Sequence, residues 1–597
     1  MVHQSPVTGI RCRLPSGPAF AAALTSLCMM FSAPAPAAAQ DVTTLSLDHY
    51  MDWESVADPQ ISPDGTQIIY TRRWVDKVND SRESAVWIMN ADGSRNRALL
   101  EGSSPRWSPD GTRIAYIARG EPSGSQLWVR WMDAEGAATQ ITRLEREPSN
   151  IEWSADGQWI AFSSQVDDRA DFAGVELPSQ PDGAEWTKEP KVVERASYKR
   201  DRRGYTDTSW THAFVVPADA GTPRQITSGD WNHSAPRWSP DGTEIYLSSL
   251  RVEKPSHPDN WYESEVYAVD VAAGSVRALT TRRGPDTGPV PSPDGSLIAY
   301  TGVEWNEDTY RNQPVYVMNR DGSNPRQISG DFDRRASTMR WAADGSGIYF
   351  NAESEGAENV YFVSVDGGVT PVTEGAHIFT MSSFSDDGVG VGVRSDSHAP
   401  GDVYRFSLND GAHPTRLTEV NADVLHGVTL GDVEEVWYES TDGFRPQGWI
   451  VKPPDFDPSR KYPLMLAIHG GPHGMYDVGF NFAFQEHAAN GYVVLYTNPR
   501  GSTGYGSAFA NAIQHAYPGP DMDDLMAGVD EVVGRGYVDE DNVFVYGCSG
   551  GGILTTYIVG NTDRFTAASA NCPIVNWMSA MGTSDAFTYT RTFEEYF

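Results

Sequence analysis

Gly547-Cys548-Ser549-Gly550-Gly551 is a nucleophile-elbow sequence, in which flanking glycines let a serine occupy a strained turn that lifts its hydroxyl above a sheet. The chemistry this permits is acyl transfer, with the hydroxyl attacking a carbonyl as a base takes its proton. G-x-S-x-G alone is a weak signal, so its surroundings carry the case. Val543 to Tyr546 reads as an apolar strand running into the motif, and Gly551 to Val559 as the start of a helix. A second element, His469-Gly470-Gly471-Pro472, ends the apolar run Leu464 to Ile468. Amides of such a loop stabilise an oxyanion together with the amide after the nucleophile, here Gly550. His469 precedes the serine and belongs to this loop, so its expected role is structural. Triad acid and base follow the serine in the order Ser, Asp or Glu, His, yet only 46 residues follow Gly551 and none is histidine. Asp563 and Asp585 come too early to be the acid, so the triad Asp and His are expected outside this sequence.

The elements that must position these residues begin after Val424, where strand candidates alternate with helical segments. Glu435 to Tyr438 and Gly448 to Val451 suggest an antiparallel pair, while Leu464 to Ile468 and Tyr492 to Tyr496 are near-continuous apolar runs, as buried strands require. Asp521 to Gly534 has a helical pattern with acids in its first turn. Residues 426–597 therefore read as an α/β-hydrolase domain truncated at its C-terminal part, which predicts an unpaired sheet edge.

Upstream, seven variants of one turn recur, beginning at Ser62, Ser108, Ser154, Ser239, Ser292, Ala342 and Ser385, mostly of the form Ser-Pro-Asp-Gly. Proline suits the second position of a tight turn and glycine the left-handed one, so each predicts a hairpin tip. Trp107, Trp153, Trp238 and Trp341 directly precede four of them. Each turn is followed by a second apolar strand signature, around Trp87, Trp128, Phe214, Tyr267, Tyr316, Tyr361 and Tyr404. A period of roughly 40 to 50 residues marks a β-propeller, and the two signatures together predict seven blades over residues 40–425. The longer gap between Ser154 and Ser239 holds only one second signature, so an insertion near 167–211 is expected within the third unit. Its Glu176, Glu185, Glu189 and Glu194 fit a solvated loop.

The net charge of −34, without a basic run, argues against a nucleic-acid partner. Arg11 and Arg13, the apolar stretch Ala19 to Phe31 and Ala37-Ala38-Ala39 read as a secretory signal over residues 1–39, predicting an exported, periplasmic or secreted protein. No other run is long and apolar enough for a membrane anchor, and no cofactor or metal is expected. Outside the signal only Cys548 and Cys572 remain, and these read as two small buried residues on neighbouring strands rather than a disulfide.

The propeller turns, then His469-Gly470-Gly471-Pro472-His473-Gly474, then Asn498-Pro499-Arg500-Gly501-Ser502-Thr503-Gly504-Tyr505-Gly506, then the serine elbow, together resemble the prolyl oligopeptidase family, nearest its bacterial dipeptidyl-peptidase and acylaminoacyl-peptidase branch. The resemblance implies a seven- or eight-bladed propeller covering the active site of an α/β-hydrolase domain, which limits substrates to short peptides. It implies Ser549 as nucleophile and the amides of Gly471 and Gly550 as oxyanion hole. It also implies that Cys572 to Trp577 lines the pocket for the residue before the cleaved bond, with Ile574 and Trp577 as pocket candidates that could equally be core. Family members commonly carry Tyr where this chain has Gly550. An alternative reading is an inactive exported propeller protein that binds peptides or envelope proteins. A third, an esterase, is disfavoured because small acyl substrates need no propeller lid.

Overall fold

The computed structural model describes residues 43–167, 179–187, 198–200, 204–205, 209–251, 263–408 and 414–583. Residues 1–39, read as a signal, lie outside them, as do Glu176, Glu189 and Glu194 of the insertion, whereas Glu185 is exposed.

Between Ser55 and Arg416 the chain forms seven successive four-stranded antiparallel units, the last two joined into one sheet by a parallel bridge between Glu358 and Ile378. In each unit the recurrent turn joins the first strand to the second. Ser62 shows how: its hydroxyl donates to Asp64 at 2.6 Å, the Gly65 amide donates to the Ser62 carbonyl, and Gly65 adopts φ +71°. The same serine-aspartate bond recurs at Ser108, Ser154, Ser239 and Ser292. In the third unit, Trp159–Asp167 and Ser209–Pro217 stay paired from Trp159 opposite Pro217 to Asp167 opposite Ser209, so residues 168–208 leave and rejoin between its second and third strands.

Each unit buries apolar side chains against the next. Ile69 and Ile88 meet Ile114 and Tyr116, Leu127 and Val129 meet Ile160 and Phe162, and Val360 meets Phe379 and Met381. The first unit's Val56 and Ile68 also cluster with Val391 and Val403 of the seventh. The tryptophans add a directional bond across these seams. The indole N–H of Trp107 donates to the Gln60 carbonyl, that of Trp153 to Arg106, that of Trp238 to Glu152 and that of Trp341 to Val290, each in the preceding unit.

After residue 428 the fold becomes α/β. Its mixed sheet has the order Val433–Trp437, Gln447–Val451, Val493–Asn498, Tyr462–Ile468, Val538–Cys548, Ala567–Asn571, the first two links antiparallel and the other three parallel. Both faces are covered, which explains the near-continuous apolar runs. Leu464, Leu466, Val493, Leu495 and Val545 pack on one face with Leu525 and Val529 of helix Pro520–Gly534 and with Ile553 and Ile558 of helix Gly550–Asn561. Ala467, Val494 and Tyr496 pack on the other with Phe484 and Ala488 of helix Phe482–Ala489. Ala567–Asn571 is the outer strand and all five of its residues are exposed.

The second-to-third-strand loops of the fifth, sixth and seventh units meet this domain. Tyr310 donates its amide to the Asn511 side chain at 2.8 Å, Glu355 to the Gly504 carbonyl at 3.1 Å, and the Gln485 side chain reaches the Ser397 carbonyl. Gly356 lies so close to the Trp449 indole that a Cβ there would sit 2.4 Å from its ring.

Arg500 and Asp524 lock the loop after Val493–Asn498 to helix Pro520–Gly534. Their side chains are 3% and 0% exposed, and the guanidinium grips both carboxylate oxygens at 2.7 and 2.9 Å. Asp524→Asn leaves a buried cation with only the exposed Asp442 carboxylate, 3.6 Å away, and is expected to destabilise by roughly 3–5 kcal/mol. Urea unfolding checks this, and a shift under 1 kcal/mol would show the pair to be dispensable.

Candidate active site

The elbow strand Val538–Cys548 pairs in parallel with Tyr462–Ile468 so that Ile468 faces Gly547. Both strands therefore end together, one into the serine turn and the other into the glycine-rich loop. Ser549 follows with φ 57° and ψ −120°, exposed, and helix Gly550–Asn561 starts at the next residue. Such backbone costs of the order of 1–3 kcal/mol and persists only where surrounding structure imposes it.

Here the imposition comes from backbone packed on backbone. A Cβ on Gly550 would lie 2.7 Å from the Gly471 nitrogen and 2.8 Å from its carbonyl oxygen, and one on Gly551 would lie 2.2 Å from the Ile468 oxygen. The residues whose amides were expected to share an oxyanion thus lie side by side. A side chain at 550, which the family commonly carries, would collide with Gly471 in this arrangement. The helix N-terminus also directs its positive end toward the serine.

His469 has its Nε2 3.0 Å from the Ser502 hydroxyl and its Nδ1 2.8 Å from the Gly470 carbonyl, with its ring edge-on to Tyr476. Burial lowers its pKa, keeping the ring neutral. Among the described residues, no histidine hydrogen-bonds to Ser549. Asn498 and Ser502 are fully buried and brace the glycine-rich loop from behind. The Asn498 side chain bonds both the amide and the carbonyl of Tyr476, and the Thr503 amide donates to the Gly474 carbonyl at 2.9 Å. In the sequence Asn498 to Gly506 stands out as a motif, without a task for these residues. The available signal was the polar Asn directly after an apolar strand.

The cysteines require a correction. Cys548 and Cys572 form a disulfide, with Cα atoms 5.5 Å apart, and both are exposed rather than buried. Register is the cause: Cys548 faces Asn571 across the parallel pair, which places Cys572 one residue further on beside the elbow. The Ser549 amide donates to the Asn571 carbonyl at 3.0 Å and lies 3.3 Å from the Cys572 sulfur. Two and five residues beyond, Ile574 and Trp577 are partly buried against the hydrolase core.

This geometry accords with the comparisons. Residues 478–597 match the model of the prolyl oligopeptidase family. Peptidase YuxL of Bacillus subtilis is 32% identical over 555 residues, covering 89% of this chain and 82% of that protein. Dipeptidyl-peptidase 5 of Porphyromonas gingivalis is 28% identical over 580 residues, covering 92% of this chain and 81% of that protein. Among solved structures, the Pyrococcus horikoshii acylaminoacyl peptidase superposes with a TM-score of 0.78 at 20% identity, covering 92% of this chain and 82% of its own, a likeness of fold. A strained serine between strand and helix, a glycine-rich loop against it and these relatives lead to one conclusion: the chain belongs to the prolyl oligopeptidase family of serine peptidases.

Proposed function

We propose that the protein cleaves short peptides through an acyl-enzyme on Ser549. The observation that carries this is the elbow itself, with Ser549 exposed at φ 57° and Gly550 packed onto Gly471. The serine oxygen bonds to the carbonyl carbon while its proton passes to a base, which the reading assigns to a histidine outside these residues. The amides of Gly471 and Gly550 hold the resulting oxyanion. Collapse breaks the C–N bond, the amine leaves with the proton, and water then cleaves the ester and restores the hydroxyl.

We read the seven units as the blades of a closed seven-bladed propeller over residues 40–425, a reading supported by the apolar cluster between the first and seventh units. Residues 426–597 are then the peptidase domain, and the propeller restricts entry to short chains. Ile574 and Trp577 are proposed to wall the pocket next to the scissile bond, supported by the disulfide that ties their loop to the elbow. The relatives' names favour release of dipeptides or of acylated residues from N-termini. Export is favoured by the N-terminal leader and by the disulfide, which an oxidising compartment maintains.

Labelling the protein from its natural source with a fluorophosphonate tests the nucleophile: one adduct is expected, on Ser549, and none on the Ser549→Ala protein. An adduct elsewhere would overturn the assignment. Gly550→Ala should lower kcat by about 10²–10³-fold, because its methyl group displaces an oxyanion donor. Dipeptidyl and acyl-aminoacyl chromogenic substrates provide the readout. Reduction of the disulfide, or Cys572→Ser, is expected to slow labelling of Ser549 while far-UV circular dichroism stays unchanged. An unaltered rate would show that the strands hold the elbow unaided.

A further inference from the structure

The first strand of every unit presents one residue at the same register, two before the recurrent turn: Gln60, Arg106, Glu152, Arg237, Val290, Arg340 and Ser383. All are partly exposed, although the residue before each of the first six is buried. The backbone itself marks this register. The strand pairing shifts just before it in the first, second, third, fifth and sixth units. Asp58, Ser104, Asn150, Gly288 and Thr338, each two residues earlier, have positive φ. These are β-bulges, which re-aim the side chains that follow.

Four of the seven positions, Arg106, Glu152, Arg237 and Arg340, converge. The charged groups that act most strongly on Arg340 of the sixth unit are Arg237, Glu152, Arg106 and Asp58, from the fourth, third, second and first. Residues of units so far apart in a ring are neighbours only near its axis. Since the recurrent turn lies at the opposite end of the first strand from the face that meets the hydrolase domain, this convergence belongs to the far mouth of the axial channel.

The charges do not cancel. Arg106 pairs with Asp58, which also accepts from the Gln60 side chain at 2.8 Å. Arg237 pairs with Glu152 at 2.8 Å, and the second Glu152 oxygen accepts the Trp238 amide. Among the described residues the Arg340 side chain has no carboxylate partner; its one hydrogen bond there is to the neighbouring Met339 carbonyl at 3.1 Å. Three arginines thus face two carboxylates, leaving one positive charge inside a molecule of net charge −34. Enclosure and the nearby arginines lower the Arg340 pKa to about 10, so it stays protonated at neutral pH. A partly exposed cation crowded by like charges is relieved when an anion meets it.

We propose that the axial ring is an anion site, in which Arg340, with Arg237 and Arg106 beside it, binds a monovalent carboxylate such as the C-terminus of a peptide. A single surplus charge suits a monoanion, and the planar guanidinium fork matches a carboxylate in two parallel hydrogen bonds. The inference rests on the closed ring proposed above. It assigns the far mouth a ligand present on every unmodified short peptide, drawn into a locally positive channel through an otherwise repulsive surface.

The test is binding, measured by isothermal titration on the Ser549→Ala protein, so that its outcome is independent of turnover and of the role of Ser549. N-acetyl-trialanine as free acid is expected to bind, and its C-terminal amide to bind about tenfold more weakly or not at all. Arg340→Gln should abolish that preference, and Arg340→Lys, which keeps the charge without the fork, should retain part of it. Competition by acetate would show that any monovalent carboxylate suffices; failure of acetate to compete would assign the site to peptide termini. Equal binding of acid and amide would overturn the proposal whether or not either variant folds, and so would an acid preference that survives in Arg340→Gln.

Discussion

Parallel pairing of Tyr462–Ile468 with Val538–Cys548 is the constraint on which the site depends, because it decides that the two strands end at the same level. From those ends the chain has little freedom. The glycine-rich loop and the elbow helix meet through backbone atoms, and the closest approaches, at Gly550 and Gly551, leave no room for a Cβ. The unfavourable φ of Ser549 is thus imposed by two faces of a packed core rather than by local preference. On the outer side, Ala567–Asn571 adds its own register and brings Asn571 and Cys572 to the serine amide.

The rest of the molecule repeats one solution to a different problem. A four-stranded antiparallel unit cannot bury both faces alone, so each must be covered by its neighbours. Apolar clusters supply the area, and the tryptophan indoles supply direction, since each donates to one carbonyl of the unit before it. Those accepting carbonyls belong to the register, two residues before each turn, at which the bulges fall. The bond that aligns adjacent sheets therefore also fixes the backbone at that register, and its side chains are left free to vary from arginine to valine.

Much of this was legible in the residues. The turn sequence carries its own mechanism in the serine hydroxyl, the aspartate and the left-handed glycine, so its seven copies located the hairpins directly. The elbow and the loop at His469 were legible because glycine spacing there reports close backbone approach. Long-range register was not legible. Cys548 and Cys572 are separated by 24 residues, and nothing local says that a parallel pair brings them together, so the bond was missed. Arg106, Arg237 and Arg340 look like ordinary solvated arginines until the structure sets them at one register of three units, within electrostatic reach of one another. Asn498, Ser502 and Asp524 were missed for a related reason: sequence shows a polar residue but not the donors around it once it is buried.

The docking between the two parts is lopsided. The loops of the fifth, sixth and seventh units touch the hydrolase domain, whereas the excursion at residues 168–208 leaves from the third, between two strands already closed in register up to Asp167 and Ser209. Its length can change without loss of a ladder bond between those two strands, and lengthening a loop whose ends are already joined costs little in closure entropy. Segments can thus be inserted, trimmed or replaced between those two strands without disturbing their pairing, while the corresponding loops of the fifth, sixth and seventh units are held to their present form by the seam they must keep.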